Sequence, residues 1–300
     1  MPNNSTGFLQ EWVSRTIVAY TPRNVIFETH HLESPLADFI ESMFYYNGFQ
    51  PDHSIERVVP TGHLFIIFEL DGIERNTFDN HSLTPNGHFR NVWVSGMHKN
   101  YLSISAHPDS EMFVIQFKTS GAYPFLYVPI HQLNNKVVPA TELFGDEIID
   151  LRGQILNAKE PEEKFKLATR WLENRFDKSK AAPVNIVSVL SQIQSRPITE
   201  SNAILTAYPN SQKHLINQFK KYFGLTPKVL HRIFRFNEIL KHIQHKQSLK
   251  WTEIAYEFGY SDQSHFIKEF REFSGFNPQE FINSDFTKGE TNFFPLDRKG

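Results

Sequence analysis

Two nine-residue segments of this chain echo each other. Residues 219–227 read FKKYFGLTP and residues 270–278 read FREFSGFNP, an offset of 51. The echo runs upstream as well: Ser211-Gln212 matches Asp262-Gln263 in type, and Leu215 matches Phe266. In each copy a capping residue precedes a helical stretch, and a glycine that can end it precedes a proline. Two copies are too few for a solenoid, so the back of the chain is a duplicated supersecondary unit.

Periodicity defines the unit. At ~100° per residue, Leu215, Phe219 and Tyr222 share one face of the first helix, and Phe266, Phe270 and Phe273 share one face of the second. The opposite faces carry Lys213, Asn217 and Lys220, and Ser264, Lys268 and Arg271. Upstream of the second copy lies a shorter helix, Trp251 to Phe258, followed by Gly259-Tyr260-Ser261 as a tight turn. Helix, glycine-containing turn and polar-faced helix make the helix-turn-helix pattern of DNA readers. A longer helix, about Pro227 to Gln247, joins the copies through a seam of Val229, Ile233, Phe236, Leu240 and Ile243.

Charge separates the two halves. Residues 1–180 hold 16 Lys and Arg against 22 Asp and Glu, a net of −6; residues 181–300 hold 15 against 11, a net of +4. From 211 to 250 nine Lys and Arg stand against the single acid Glu238, which predicts a phosphate-binding surface. The chain has no cysteine, which excludes a disulfide scaffold, a cysteine-based zinc finger and a thiol enzyme. It has no apolar run of ~18 residues for a membrane span and no basic-then-apolar start for a signal peptide. Together these features predict a cytoplasmic protein.

Ahead of the repeat the pattern is of another kind. Ser34-Pro35 with Leu36, Phe39, Ile40, Met43 and Phe44 predicts a helix capped by Ser34. Six short runs follow, rich in Val, Ile, Phe, Tyr and Trp: 54–60, 64–70, 75–79, 91–97, 101–107 and 112–118. They read as an antiparallel sandwich or small barrel, with Asp71-Gly72 as a hairpin turn after LFIIFEL. Helices are expected over 144–157 and 161–176, with Pro161 at a first helical position. Residues 177–183 read as a linker, and the last fifteen residues as a tail. The expected fold is therefore multidomain: a β-rich domain with trailing helices over 1–180 and an all-helical domain over 181–300. The latter holds helix-turn-helix motifs at about 200–223 and 251–274.

Residues 251–281, WTEIAYEFGYSDQSHFIKEFREFSGFNPQEF, resemble the second helix-turn-helix of AraC/XylS-family transcription regulators. Glu253-Ile254-Ala255, Gly259-Tyr260, Ser264-His265-Phe266, Phe270-Arg271, Gly275 and Pro278 carry the match. Residues 204–236 resemble the family's first motif more loosely, with Tyr208-Pro209 where the second motif has Gly259-Tyr260, and Asn217 where arginine is frequent. The resemblance implies a bacterial, sequence-specific DNA-binding transcription regulator that places two recognition helices in adjacent major-groove segments. It implies a cupin-like N-terminal domain that senses a small effector, dimerises, or both, and contact with RNA polymerase in an activator. The DNA-binding residues expected are Gln212, Lys213, Asn217, Lys220, Gln263, Ser264, Lys268 and Arg271.

Arg57, Phe65, Phe68, Trp93 and Phe113 are the expected effector-binding residues, on the premise that strand aromatics line a pocket. No His-x-His occurs, and His63, His81, His88, His98 and His107 are scattered, so no metal site is expected. No cofactor motif appears: there is no G-x-S-x-G, no Walker A and no G-x-G-x-x-G. The rival from another class is a β-barrel enzyme acting on a small molecule, with a helical appendage.

Overall fold

The computed structural model describes residues 25–198, 208–243, 249–283 and 293–297. The N-terminal part is built on two antiparallel sheets. The first has six strands: β1 (Ile26–His30), β2 (Ile40–Phe49), β4 (Leu64–Glu69), β7 (Val92–Ser95), β9 (Ser110–Phe117) and β10 (Val137–Pro139), in the order β1-β2-β9-β4-β7-β10. The second has five: β3 (Ile55–Val58), β5 (Arg75–Phe78), β6 (Pro85–Phe89), β8 (Leu102–Ser105) and β11 (Phe293–Pro295), in the order β11-β3-β8-β5-β6. All six expected strands are present.

Three local expectations fail for physical reasons. The stretch after Ser34-Pro35 forms one 3-10 turn, Leu36–Asp38, and then enters β2 rather than a helix. Strand β2 is buried on both faces, so its apolar residues do not alternate with polar ones and the helical spacing is accidental. Asp71-Gly72 makes a tight turn, its carboxylate accepting from the Ile73 amide at 2.7 Å, but it joins no hairpin. Strand β4 pairs with β7 and β9, and the turn hands the chain to β5 in the other sheet. The last residues return to the N-terminal part as β11.

Helices cover the outer face of the first sheet: α1 (Tyr123–Leu126), α2 (Thr141–Phe144), α3 (Glu147–Asn157) and α4 (Pro161–Arg175). Leu64, Ile66 and Phe68 of β4 and Phe113, Ile115 and Phe117 of β9 point into this layer. There the Phe113 and Phe165 rings meet at 5.4 Å, and Phe117 and Phe125 at the same distance. Pro161 opens α4 as expected.

The C-terminal part is helical over its described residues: α5 (Val184–Ser195), α6 (Gln212–Phe223), α7 (Pro227–Ile243), α8 (Trp251–Glu257), α9 (Gln263–Ser274) and α10 (Pro278–Asn283). The seam predicted for α7 is present, with Ile233, Phe236, Leu240 and Ile243 all buried. Phe236 packs on Phe270 and Phe273 of α9, ring centres 5.4 and 5.1 Å apart. The core of this part is continuous with that of the N-terminal part.

One buried charge group fastens α7 to α9. The Glu269 side chain is 2% exposed and accepts from Arg232 Nε at 2.7 Å, Arg235 Nη2 at 2.8 Å and the Tyr260 hydroxyl at 2.6 Å. Burial alone would push its carboxyl up; Arg235, Tyr260 and Arg232 outweigh burial and hold it below the ordinary carboxylate range. Such a group stabilises the fold above the unfolded carboxylate pKa of ~4.3, and the contribution is lost as pH falls through the lower folded value. Removing the buried charge leaves half-buried Arg235 without its carboxylate and Arg232 with Glu272 alone, so Glu269→Gln is expected to lower stability by about 3–5 kcal/mol at pH 7. The gap from wild type should shrink in strong acid. Urea unfolding at neutral and acid pH checks this; equal stability at pH 7 would contradict it.

Candidate nucleic-acid interface and inter-sheet cavity

The duplicated unit forms as its sequence requires. Ser211 caps α6 by accepting the His214 amide at 3.2 Å, and Asp262 caps α9 by accepting the His265 amide at 2.8 Å. Gly224 and Gly275 end the two helices with φ of +80° and +76°, a region glycine enters without strain. Leu215, Phe219 and Phe223 are buried in the first copy, and Phe266, Phe270 and Phe273 in the second. Phe223 takes the deep position expected of Tyr222, which is only half-buried.

The outward faces match expectation. Gln212, Lys213, Asn217 and Lys220 are exposed on α6, as are Ser264, Lys268 and Arg271 on α9. Gln263 is half-buried, and its side-chain carbonyl accepts from Thr252 at 2.8 Å. In the second motif the turn is closed by Gly259 at φ +73° and by the Tyr260 amide donating to Ala255 at 2.9 Å. Residues 199–207 lie outside the described residues, and with them the expected helix upstream of α6. What is described shows that the two turns share a device. The Tyr208 ring stacks on His214, centres 6.0 Å apart, and Tyr260 lies against His265 at 5.4 Å. The histidines are 51 apart and the tyrosines 52, so the ring contact is kept while the segment between tyrosine and histidine is one residue longer in the first copy.

The basic stretch is divided by its partners. Arg232 and Arg235 face inward to Glu269, with Arg232 also on Glu272 at 2.6 Å. Lys241 pairs with Glu238 and Lys250 with Glu253. Lys246 lies outside the described residues. Lys213, Lys220 and Lys228 are exposed, while Lys221 is half-buried with its ammonium over the Tyr123 and Tyr222 rings. The same pairs discharge Glu269 and Glu272, so α9 is less acidic outside than its sequence suggests.

A second candidate site lies between the sheets. A cavity of about 220 Å³ is lined by the inward residues of both. Phe44 and Tyr46 of β2, Phe65 and Ile67 of β4, Trp93 and Ser95 of β7, and Met112, Val114 and Gln116 of β9 face it from the first sheet. Their register agrees: Phe65 opposes both Ser95 and Gln116, and Ile67 opposes Trp93 and Val114. Glu56, Val58, Leu102 and Ile104 close it from the second sheet.

Of the five expected effector residues, Phe65 and Trp93 line this cavity and Phe68, Phe113 and Arg57 do not. Side chains alternate along a strand, so Phe65 and Phe68, three apart, cannot share a face. Phe68 and Phe113 point into the helical layer, their rings 5.8 Å apart. Arg57 points to the other side of β3, where Nη1 donates to the Gly275 carbonyl at 3.2 Å. The sequence reading missed Phe44, Tyr46, Met112 and Gln116; their period-two spacing within each strand was the available signal. It also missed Phe293, for which no local signal exists.

The polar groups of the cavity are few and mostly paired. Arg75 is the one Lys or Arg among the lining residues, and Glu69 and Asp71 answer its charge. Burial pushes the Glu69 carboxyl up to about 7 despite Arg75 and the Trp93 indole, which donates to it at 2.8 Å. Burial drives His98 down to about 4, so a neutral imidazole sits beside the Ser95 hydroxyl at 3.1 Å. Gln116 accepts from Ser42 at 3.2 Å through its carbonyl. Burial would lower His53 too, but Glu56 and Asp52 on its two nitrogens outweigh it and raise it. Among the described residues no three His, Asp or Glu side chains cluster as metal ligands, and no helix is long and apolar enough to cross a membrane.

Residues 206–284 match the family model of a helix-turn-helix domain, and residues 28–139 match a domain of unknown function (DUF6597). No curated protein matches the chain. Among solved structures it is similar to ToxT from Vibrio cholerae at 11% identity, covering 86% of this chain and 98% of that one, with a TM-score of 0.41. It is similar to ToxT from Vibrio cholerae O395 bound to (E)-4-(8-methylnaphthalen-1-yl)but-3-enoic acid at 13% identity, covering 86% and 98%, TM-score 0.41. A xylose-binding transcription activator, xylR, matches at 16% identity over 41% of this chain and 38% of that one, TM-score 0.28. The caps, the turn and the buried aromatic stripes all fall inside the family-model match, so residues 206–284 form a helix-turn-helix domain.

Proposed function

We propose that residues 181–300 read DNA through α6 and α9 while residues 1–180 form a sensing domain for an uncharged, largely apolar small molecule. Gln212, Lys213, Asn217 and Lys220 face one major-groove segment. Gln263, Ser264, Lys268 and Arg271 face the next. Exposed lysines hold phosphates, and the amide and hydroxyl side chains read base edges. No catalysis is assigned. Dimerisation and contact with RNA polymerase belong to the same proposal, as the family resemblance implies, with no surface assigned to either.

The observation that carries the sensing role is the cavity. A hole of about 150 Å³ already admits benzene, and this one is larger, aromatic-lined and bordered by a few hydrogen-bonding groups. Its single arginine already pairs with Asp71 and Glu69, so an added carboxylate would leave the buried group with net negative charge, which costs several kcal/mol. Gln116, Ser95 and a neutral His98 suit a hydroxyl, carbonyl or ring N–H instead. Indole should therefore bind and indole-3-carboxylate should bind at least about tenfold more weakly. Calorimetric titration with each separates them; equal affinity would overturn the uncharged class.

The charge pairing sets how DNA affinity should respond to salt. Each neutralised phosphate adds about −0.9 to the log–log slope. Lys220→Ala should weaken all sequences alike and shallow that slope by about one. Arg232→Ala should leave the slope unchanged, because its charge is spent on Glu269 and Glu272. Salt titrations of operator-selected duplexes test both, and an unaltered slope in Lys220→Ala would remove that residue from the phosphate contacts.

Readout is tested separately. Lys268→Ala should relax preference at one or two base pairs, each worth ~1–3 kcal/mol of discrimination. Selection of bound sites from random duplex DNA by wild type and variant gives the answer. An identical selected site would mean that this face of α9 does not enter the major groove.

A further inference from the structure

The wall that closes the cavity on one side is also the surface on which the DNA-binding module rests. Strand β11 follows that module in sequence, yet it pairs with β3 of the N-terminal part: Phe293 opposes Val58, Phe294 opposes Arg57 and Pro295 opposes Glu56. Alternation gives the two strands opposite duties on their two faces. Phe293, Val58 and Glu56 line the cavity. Phe294 is fully buried on the other face, against Phe281 at 4.9 Å and Phe276 at 6.2 Å, both from the α9–α10 region. Beside it Arg57 lies between the Tyr101 and Phe276 rings, 4.6 Å from each centre, and donates to the Gly275 carbonyl.

The wall continues past β3. Pro60 and Gly62 line the cavity. The Pro60 carbonyl accepts from Asn237 of α7 at 3.2 Å, and a side chain at Gly62 would strike the Phe234 ring at 2.9 Å. Asp297 pins β11 in place. Its carboxylate accepts from the amides of Ser54 and Ile55 at 2.9 and 2.8 Å and from the Ser54 hydroxyl, and the Leu296 amide donates to Ile55 at 2.9 Å.

We propose that β11 is a latch shared by the cavity and the DNA-binding module, which a ligand in the cavity fastens. A molecule seated between the sheets touches Phe293 only while β11 is paired with β3. The same pairing holds Phe294 against Phe276 and Phe281. A ligand that binds one of two states better shifts the balance toward it, and the coupling is reciprocal. A three-residue edge strand is a low-stability element, so its pairing is the step within reach of such a shift. The direction follows: an occupied cavity holds the module docked, and an unlatched β11 both frees the module and opens the cavity. The ligand arm of this inference rests on the sensing role proposed above; the latch itself does not.

Hydrogen exchange of the full chain, read by mass spectrometry, tests both parts. Asp297→Ala removes three hydrogen bonds to a charged acceptor and should speed exchange by about tenfold or more, at 54–58 and also at 275–283. Asp297→Asn keeps an acceptor oxygen and should restore much of the protection. Circular dichroism of each variant confirms that the sheets remain. Acceleration at 54–58 with 275–283 unchanged would overturn the latch. In wild type, saturating indole should slow exchange at 275–283. Phe293→Ala should bind indole at least about tenfold more weakly and lose that slowing. Bound indole that leaves 275–283 unaffected would sever the cavity from the module. Failure of indole to bind wild type at all would instead overturn the uncharged-ligand class, and the Asp297 variants would still decide the latch.

Discussion

Inside its edge strands β1 and β10 the first sheet is covered on both sides, and the rest of the molecule is arranged around that constraint. One side carries Ile66, Phe68, Phe113, Ile115 and Phe117 into a layer of helices. The other carries Phe65, Ile67, Trp93 and Val114 toward the second sheet. A sheet buried on both sides must hide its backbone in its own ladders and its side chains in two cores. On the helical side Phe113 packs on Phe165 and Phe117 on Phe125, while the side between the sheets leaves the cavity. The difference lies in what opposes each face: helices on one side, and on the other a sheet of short, partly polar strands.

Charge is arranged as economically as packing. The arginines of the linking helix serve structure first, because Glu269 and Glu272 lie within hydrogen-bond reach. A buried carboxylate with two arginines and a tyrosine fixes α9 relative to α7. Lys213 and Lys220 on α6, Lys228 on α7 and Lys268 on α9 are exposed instead. In this way the module separates the cations that hold it together from those that face outward.

The helix-turn-helix was legible residue by residue. Ser211, Asp262, Gly224 and Gly275 are local signals, since caps and left-handed ends involve neighbours within one turn of helix. The buried stripes followed from period 3.6, and the outward faces followed from the stripes. Within the sheets, strand existence was legible and facing was not. Phe68 and Phe113 read as pocket aromatics because a strand buried on both sides shows no polar alternation to mark which face is which. Met43 and Phe44 read as helix for the same reason. Arg57 was singled out for its charge, but its target is a carbonyl 218 residues away.

The sequence by itself determined the chemistry and local form of the DNA-binding module, because helices, caps and turns are set by interactions over a few residues. It also determined that a β-rich unit precedes that module and that the charges of the two halves differ in sign. Only the tertiary structure decided which aromatics face the cavity, because facing depends on which strand lies opposite. It alone decided that Arg232 and Arg235 are withdrawn from the basic surface, because their acids lie more than thirty residues away in sequence. And it alone decided that Phe293, Phe294 and Asp297 belong to the wall of the N-terminal part. Pairing of β11 with β3 joins positions some 240 residues apart, and no local propensity encodes a contact of that range.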